Sequence, residues 1–492
     1  MTSDPPDDGK IDARREMKRG LWWMGGATLV MRLLDIGSML LVLVFLGPGE
    51  MGLATLAWSI SVVLEAFNGL GVGQVVVRQH DLTHRELSGL FWFCTVLGIM
   101  AAAVMAVVAP WIAVFYADPR LSPMVVVSAG KLILVGAALV PLQLLTRDLR
   151  FKEAGAAQTI ATLGESITKV TLVIAGLGAW GLVIANVSRG LFLLLALCWL
   201  SPFRPVFAST DRTTRQSVRF GLRVTLASVL YHAYRNMDFL LIGRFLGKEV
   251  VGVYRVAFDL GMTPLEIVLQ LVNRVQFPIY SRLQSKALEL RDAFYRSGRS
   301  LLLLLGPVTA LICFASPDIL RIAGSGKWLA AVPMIYVLSW ASLLRGLSQI
   351  FPQLYQATGR PQYAVTSQLL TGATLVSGFV LVLSFASPSA APQGVAWVWL
   401  LSYPLPLVAQ FAMARRCAPV HFVGMMRAML LPALGVGFVS LLLGAGTLLR
   451  PVVQSPIASL GILVLLGLAG YGLFLHCVMR MRPGDILPTR SL

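Results

Sequence analysis

Charged side chains interrupt the long apolar stretches of this sequence, and they are the residues whose types could do chemistry. If such stretches cross a membrane, an ionised group within them is costly unless it faces water, a partner or a ligand. Arginine is suited to a phosphate ligand, because its planar guanidinium can form two parallel hydrogen bonds. The sequence therefore predicts a substrate-binding site for an anion, formed by five cations: Arg32, Lys131, Arg189, Arg235 and Arg345.

Three of these cations have no opposite charge three or four residues away along the chain: Lys131, Arg189 and Arg345. Two interpretations stay open for them. They could line a water-filled cationic cavity, or they could pair with carboxylates on other helices. The cavity is the favoured interpretation, because a guanidinium there would be available to a lipid pyrophosphate.

Acidic residues in the same stretches could exchange a proton or a sodium ion. These ion-coupling candidates are Asp35, Glu65, Glu165 and Asp238. Several opposite charges lie three or four residues apart, a spacing that lets them meet on one helix face. The pairs are Arg32 with Asp35, Glu165 with Lys169, Arg235 with Asp238, and Arg255 with Asp259. A purely structural role, in which each pair neutralises itself and braces the bundle, carries equal weight.

Sequence motifs of enzymes are missing. The chain contains no GxSxG, HExxH or GxxxxGK[ST] pattern. It therefore lacks the common signatures of hydrolases, zinc proteases and P-loop ATPases. Its five cysteines are scattered without CxxC spacing, so they indicate no metal site. We expect no enzymatic activity, no metal and no cofactor, and any uphill transport must use an ion gradient or the substrate's own gradient.

The composition is that of a membrane protein. Hydrophobic residues make up 57% of the chain and charged residues 13%, a balance that a water-facing globular surface does not carry. With about 20 apolar residues needed per span, the low-charge segments predict an all-α, polytopic fold with about 14 transmembrane helices. The first apolar run, from Leu21, is too long for a signal-peptide core and is expected to remain as the first span.

An internal repeat organises the predicted spans. Phe45, Leu46, Gly47, Gly52 and Ala57 recur 200 positions later as Phe245, Leu246, Gly247, Gly252 and Ala257. Six spans per repeat is an even number, which predicts two six-helix bundles in parallel orientation around a cavity, followed by two extra helices. The predicted boundaries are a tail at 1–20, bundles at 21–200 and 219–414 with a linker at 201–218, extra helices at 428–479, and a tail at 480–492.

Lysine and arginine are unevenly distributed among the loops. Loops assigned to the inside carry about 26 of them and loops assigned to the outside about 6, so the positive-inside rule places both termini in the cytoplasm. The net charge of +18 does not indicate nucleic-acid binding, because the basic residues lie in short runs between apolar segments and form no basic domain.

Several motifs resemble those of a known family. They are the run at 235–247 with Gly252, Tyr254 and Pro264, then Phe277-Pro278, the run at 281–284, Lys327-Trp328, and the run at 357–360. In order and spacing, over roughly residues 20 to 415, the chain resembles the polysaccharide-transport branch of the multidrug/oligosaccharidyl-lipid/polysaccharide (MOP) exporter superfamily, the branch of the O-antigen and exopolysaccharide flippases.

The resemblance implies a transporter of the bacterial inner membrane that works by alternating access through a cationic lumen. Its substrate would be an undecaprenyl-pyrophosphate-linked oligosaccharide, flipped from the cytoplasmic to the periplasmic leaflet for exopolysaccharide, capsule or O-antigen synthesis. The implied partners are this lipid-linked oligosaccharide, membrane lipids, glycosyltransferases upstream and a polysaccharide polymerase downstream.

Two alternatives stay open, the first from the same fold and the second of a different functional class. An ion-coupled multidrug antiporter of the same superfamily would need an acidic cavity. The charges in these spans that have no opposite charge three or four residues away are basic instead. A membrane-embedded polysaccharide polymerase or transferase would need a long exported loop with catalytic residues, and every predicted outside loop is short.

Overall fold

The computed structural model of the chain describes residue 26 and residues 30–65, 72–78, 82–207, 234–324, 326–387, 389–453 and 455–479. Within these ranges the chain is almost entirely helical and contains no β-strand. Nine membrane-length apolar helical segments are found there. The prediction of an all-α, polytopic membrane protein is confirmed. The remaining predicted spans fall on helices that carry several charges or border residues outside the described ranges.

The chain divides into two compact units, with the boundary between Asn236 and Met237. The first unit contains seven described helices: α1 (residues 30–45), α2 (Pro48–Glu65), α3 (Val72–Arg78), α4 (His84–Phe115), α5 (Leu121–Arg147), α6 (Phe151–Ile174) and α7 (Ala179–Leu200).

Glycines allow the backbones of α4 and α5 to approach closely. A Cβ atom placed on Gly98 would lie 2.6 Å from the carbonyl oxygen of Leu132, and one placed on Gly136 would lie 2.6 Å from that of Cys94. Small residues at such contacts are typical of helix pairs in membranes, where van der Waals packing replaces the hydrophobic effect. This packing fixes the position of α5, which carries Lys131 at its middle.

Helix α8 (residues 234–246) contains the boundary between the units, and α9 (Lys248–Leu283) follows it in the second unit. This unit continues with α10 (Ala287–Gly324), α11 (Val332–Ala357), α12 (Pro361–Phe385), α13 (Ala391–Ser402), α14 (Pro404–Ala414), α15 (Phe422–Thr447), α16 (Arg450–Val453) and α17 (Pro456–Cys477). Helix α13 ends at Ser402 and α14 begins at Pro404, because Pro404 lacks the N–H that would continue the hydrogen-bond ladder.

The repeated motif has the same local structure in both units. Helix α1 ends at residue 45 and α2 begins at Pro48, while α8 ends at residue 246 and α9 begins at Lys248, 200 positions after α2. Gly247 joins α8 to α9 with a φ of +84°, a conformation that glycine adopts without steric cost. The glycine in the motif thus marks the break between two consecutive helices.

Helices α15 and α17 pack against α10 of the second unit. Val439, Leu443 and Leu463 form a buried cluster with Ala310 and Ala315 of α10. A polar contact accompanies this packing, because Arg450 in α16 reaches the buried carboxylate of Asp318 at 2.9 Å. The two C-terminal helices are therefore part of the second unit's packed core.

Candidate functional site

Four helices of the first unit bring charged side chains together within the helix bundle. Lys131 Nζ on α5 lies 2.9 Å from Glu65 Oε2 at the end of α2. Arg189 at the middle of α7 donates from Nη1 to Glu165 Oε2 on α6 at 3.0 Å. For these two cations, interhelical pairing, the interpretation that the sequence did not favour, is therefore what the structure shows.

The carboxylate of Asp35 on α1 joins the same group of charges. It interacts electrostatically with Arg189, Glu165, Lys169 and Arg32. Lys169 Nζ lies 3.2 Å from Ser38 Oγ, one turn after Asp35. Glu165, predicted to pair with Lys169, instead pairs across helices with Arg189.

We call these seven residues the first-unit charge cluster: Arg32, Asp35, Glu65, Lys131, Glu165, Lys169 and Arg189. It contains four cations and three anions, which gives a formal charge of +1 (four minus three). All but one of these residues were identified from the sequence as substrate-binding or ion-coupling candidates. Lys169 was noted there only as the expected partner of Glu165, and Ser38 gave no signal because a lone serine in a membrane helix is common.

Arg189 keeps an exposed guanidinium beside its ion pair. Its side chain is 40% exposed, whereas that of Glu165 is 10% exposed. The hydrogen bond to Glu165 uses Nη1, and a guanidinium carries five N–H donors. Lys131 is 13% exposed and lies deeper. Arg189 therefore keeps N–H groups that the hydrogen bond to Glu165 does not use.

The second unit holds a different arrangement around Asp238 on α8. This carboxylate is fully buried and accepts hydrogen bonds from Tyr254 O–H at 2.7 Å, Trp399 Nε1–H at 3.2 Å and the backbone N–H of Phe239 at 2.9 Å. Trp399 Nε1–H is also within 2.8 Å of the Tyr254 hydroxyl. Asp238 thus joins helices α8, α9 and α13 through a compact polar cluster.

Arg345 of α11 lies beside this cluster. It is buried, its guanidinium carbon is 5.3 Å from the centre of the Trp399 ring, and it interacts electrostatically with Asp238. Arg235 lies one turn before Asp238 on α8 and is half-buried. The predicted pair Arg255 with Asp259 is confirmed at 2.8 Å. Sequence reasoning missed Trp399, because a tryptophan in an apolar span ordinarily indicates packing.

Asp238→Asn is expected to lower the stability of the second unit by about 1–3 kcal/mol, because an amide N–H₂ would face Tyr254 and Trp399 donors. The measurement is the unfolding of purified protein in detergent followed by tryptophan fluorescence. Asp259→Asn is the matched control. Its carboxylate is 26% exposed and pairs with Arg255, so a loss below about 1 kcal/mol is expected. Equal losses of stability in the two variants would contradict a structural role for the buried hydrogen bonds of Asp238.

Metal binding has no support in the part of the chain that the structure describes. No three His, Cys, Asp or Glu side chains there are placed to hold a metal ion together.

The family model described as "Polysaccharide biosynthesis protein" matches residues 42–333 of the chain. The teichuronic acid biosynthesis protein TuaB of Bacillus subtilis (strain 168) is 25% identical over 355 residues, covering 69% of this chain and 72% of that protein. The lipopolysaccharide biosynthesis protein WzxC of Escherichia coli (strain K12) is 22% identical over 354 residues, covering 71% and 72%.

Solved structures share the fold. The lipid II flippase MurJ in an inward closed conformation superimposes with a TM-score of 0.73 at 12% identity, covering 93% of this chain and 98% of that one. An inward-facing MATE family transporter of the MOP superfamily gives a TM-score of 0.61 at 13% identity, covering 79% and 94%. The family match covers more than half of the chain and shows that the chain belongs to the polysaccharide biosynthesis protein family, while the likeness to MurJ and the MATE transporter shows a common fold.

Proposed function

We propose that the protein flips a polyprenyl-pyrophosphate-linked oligosaccharide from the cytoplasmic to the periplasmic leaflet by alternating access. The observation that carries this proposal is Arg189, a cation in the middle of a membrane helix that is paired and yet 40% exposed. A pyrophosphate is an anion that such a guanidinium can bind through two hydrogen bonds. The names of TuaB, a teichuronic acid biosynthesis protein, and WzxC, a lipopolysaccharide biosynthesis protein, support a substrate of this class.

In this proposal the pyrophosphate competes with the carboxylates of the first-unit charge cluster. When it binds Arg189, Arg32 and Lys131, their carboxylate partners lose part of their neutralising charge. Glu165, Glu65 or Asp35 would then take up a proton or a sodium ion, and that uptake would couple transport to an ion gradient. Substrate release on the other side would restore the ion pairs.

Three further residues complete the proposed set: Arg235, among the last residues of the first unit, and Arg345 and Asp238 of the second unit. Arg235 and Arg345 would bind the pyrophosphate or acidic sugars, and Asp238 is the ion-coupling candidate of that unit. Three donors already occupy most of the acceptor sites of the fully buried Asp238 carboxylate, so it is a weaker candidate for ion exchange. Asp35, Glu65 and Glu165 lie beside cations that a bound pyrophosphate would compete for, so they are the stronger candidates for exchange.

The setting of this activity follows from the same proposal. The protein would span the bacterial inner membrane with both termini in the cytoplasm, as the distribution of lysine and arginine predicts. It would carry out no chemical reaction. A glycosyltransferase would supply its lipid-linked substrate and a polymerase would consume it.

A multidrug antiporter is the second candidate, because MATE transporters share the fold. Such a site would have to attract cations. The first-unit charge cluster carries a formal charge of +1 (four cations minus three anions), which repels them. The charge balance therefore favours an anionic substrate.

The decisive experiment follows the leaflet in which lipid-linked sugar accumulates. A strain that lacks the gene should trap the intermediate in the cytoplasmic leaflet, where a sugar-oxidising or lectin probe added from the periplasm cannot reach it. The intact gene should restore access. Unchanged sidedness in the deletion strain would overturn the proposal and favour the antiporter, which drug-efflux measurements in the same strains would then test.

A further inference from the structure

Two loops of the second unit carry arginines that meet at the end of the membrane helices. Arg360 lies immediately before α12, and Arg415 and Arg416 follow α14, which ends at Ala414. The ends of membrane spans lie at the boundary between lipid chains and water, where lipid headgroups are found. We call Arg360, Arg415 and Arg416 the loop-arginine patch. The proposed function assigns no role to any of the three.

Hydrogen bonds hold the two loops of the patch together. The Arg360 guanidinium donates from Nη1 to the backbone carbonyl oxygen of Arg416, and its central carbon lies 5.9 Å from the centre of the Tyr363 ring. Arg416 donates from its own Nη1 to the Tyr363 hydroxyl at 3.3 Å. Two guanidinium groups therefore contact one tyrosine side chain, the first at its ring and the second at its hydroxyl.

The positive charges of the patch are not neutralised by any carboxylate of the described residues. The sequence contains no Asp or Glu from position 319 to position 484. Among the described residues, no carboxylate forms an ion pair with Arg360, Arg415 or Arg416. The positive-inside rule explains basic residues in a loop, but it does not explain two guanidinium groups held on one tyrosine by neutral acceptors. Like charges held close together repel each other, so a bound anion would stabilise this arrangement.

The phosphate group of a membrane lipid has the chemistry that the patch requires. Guanidinium N–H groups match phosphate oxygens in pairs, and the described hydrogen bonds of Arg360 and Arg416 each use only Nη1. A headgroup with its own ammonium group would place that cation beside the arginines, where no described carboxylate could hold it. Apolar residues begin the next helix: Phe422 and Val423 are 52% and 58% exposed and can contact acyl chains.

We propose that the loop-arginine patch binds the phosphate of one anionic phospholipid of the phosphatidylglycerol type. Arg360 and Arg416 bind the two non-bridging oxygens, and Arg415 adds positive charge. The bound phosphate connects the loop after α11 to the loop after α14, so the lipid holds the ends of these helices together. This proposal does not rest on the proposed function, because a phospholipid is not the transported substrate.

The test measures lipid binding to the full-length protein by native mass spectrometry, after co-purified lipid has been removed in detergent. The probes are phosphatidylglycerol and phosphatidylcholine with identical acyl chains. Phosphatidylglycerol should bind about fivefold more tightly or better, because only phosphatidylcholine carries a cation in its headgroup. Arg360→Gln with Arg416→Gln should weaken binding of phosphatidylglycerol about tenfold or more, because both guanidinium groups are lost. Equal binding of the two lipids by the wild type would overturn the proposal.

A matched control removes two cations that carboxylates already neutralise. Lys286 pairs with Glu289 at 3.0 Å, and Arg291 pairs with Asp292 at 2.8 Å, all at or just before the start of α10. Lys286→Gln with Arg291→Gln lowers the net charge by the same amount as the patch variant. It should bind phosphatidylglycerol as the wild type does. Equal weakening in the two double variants would show a general attraction to positive charge, which contradicts a built site.

Single substitutions at Arg416 separate lipid binding from folding. Arg416 is exposed, and the one described hydrogen bond of its guanidinium is to Tyr363, so Arg416→Gln should unfold at the wild-type temperature. It should still bind phosphatidylglycerol more weakly than the wild type. Arg416→Lys keeps the charge and loses the planar fork, so intermediate binding is expected. Wild-type affinity in Arg416→Gln would contradict the role given to this residue.

Two other occupants are outcomes of the same experiment. Displacement of phosphatidylglycerol by millimolar inorganic phosphate would assign the patch to a free anion and overturn the proposal. Tighter binding by undecaprenyl phosphate than by phosphatidylglycerol, lost in the double glutamine variant, would assign it to a prenyl lipid and overturn it as well. Lipid binding by purified protein does not depend on which leaflet holds the sugar intermediate, so this proposal and the proposed function can fail separately.

Discussion

Under the proposed function, Arg189→Ala is expected to reduce transport of the lipid-linked sugar by about a hundredfold or more while the protein remains in the membrane. Two charge-assisted hydrogen bonds to a pyrophosphate, each worth about 1.5–3 kcal/mol, would be lost with the guanidinium. The measurement is transport of lipid-linked sugar in the deletion strain complemented with each variant, normalised to the amount of folded protein. Arg189→Lys keeps the charge but loses the planar fork, so an intermediate rate is expected.

Truncation of Arg189 alone also leaves Glu165 without its partner, and Glu165 is only 10% exposed. The double variant Arg189→Gln with Glu165→Gln removes both charges and leaves no isolated buried charge, so it should fold as the wild type does and still fail to transport. The control pair is Arg120 with Glu50, joined at 3.0 Å and 51% and 37% exposed. Replacing both by glutamine should leave transport unchanged. Wild-type transport by the Arg189/Glu165 double variant would contradict the proposed site.

The sequence predicted the helical class and the repeat because both depend on local pattern. Apolar length marks a span wherever it occurs, and the glycine at position 247 marks the helix break that also follows residue 45. Pairing along one helix was equally accessible, and Arg255 with Asp259 is an example. Such predictions need no knowledge of which helices are neighbours.

Pairing between helices could not be predicted in the same way. Lys131 meets Glu65 because α5 packs against α2, and Glu165 meets Arg189 because α6 packs against α7. The sequence shows that each of these ionised side chains needs a partner or water, because placing a charge inside the membrane costs free energy. Tertiary packing decides which partner it has. Asp238 illustrates the limit further, since its donors Tyr254 and Trp399 come from positions 16 and 161 residues away.

The contact between Asp318 and Arg450 is a second example of long-range pairing, and it predicts the largest change in stability. The Asp318 side chain is 1% exposed and accepts from Arg450 at 2.9 Å and from Ser459 Oγ at 3.0 Å. Arg450 also donates to the carbonyl oxygen of Phe314. One carboxylate thereby connects α10, α16 and α17.

Asp318→Ala should destabilise the protein by about 3–5 kcal/mol, because it leaves the largely buried Arg450 guanidinium without its counter-charge. The measurement is the free energy of unfolding in detergent by denaturant titration. Arg321→Ala is the matched control: its side chain is 50% exposed and lies 3.7 Å from the same carboxylate, so a loss below about 1 kcal/mol is expected.

A double-mutant cycle separates the ion pair from other effects of the substitution. Asp318→Asn combined with Arg450→Gln should lose less stability than the sum of the two single variants, since the pair is removed without leaving an isolated charge. Additive losses would contradict a direct energetic coupling. A large coupling would mean that a buried polar contact, as well as apolar packing, holds α17 to α10. The two C-terminal helices could then not separate from α10 without breaking the ion pair between Asp318 and Arg450.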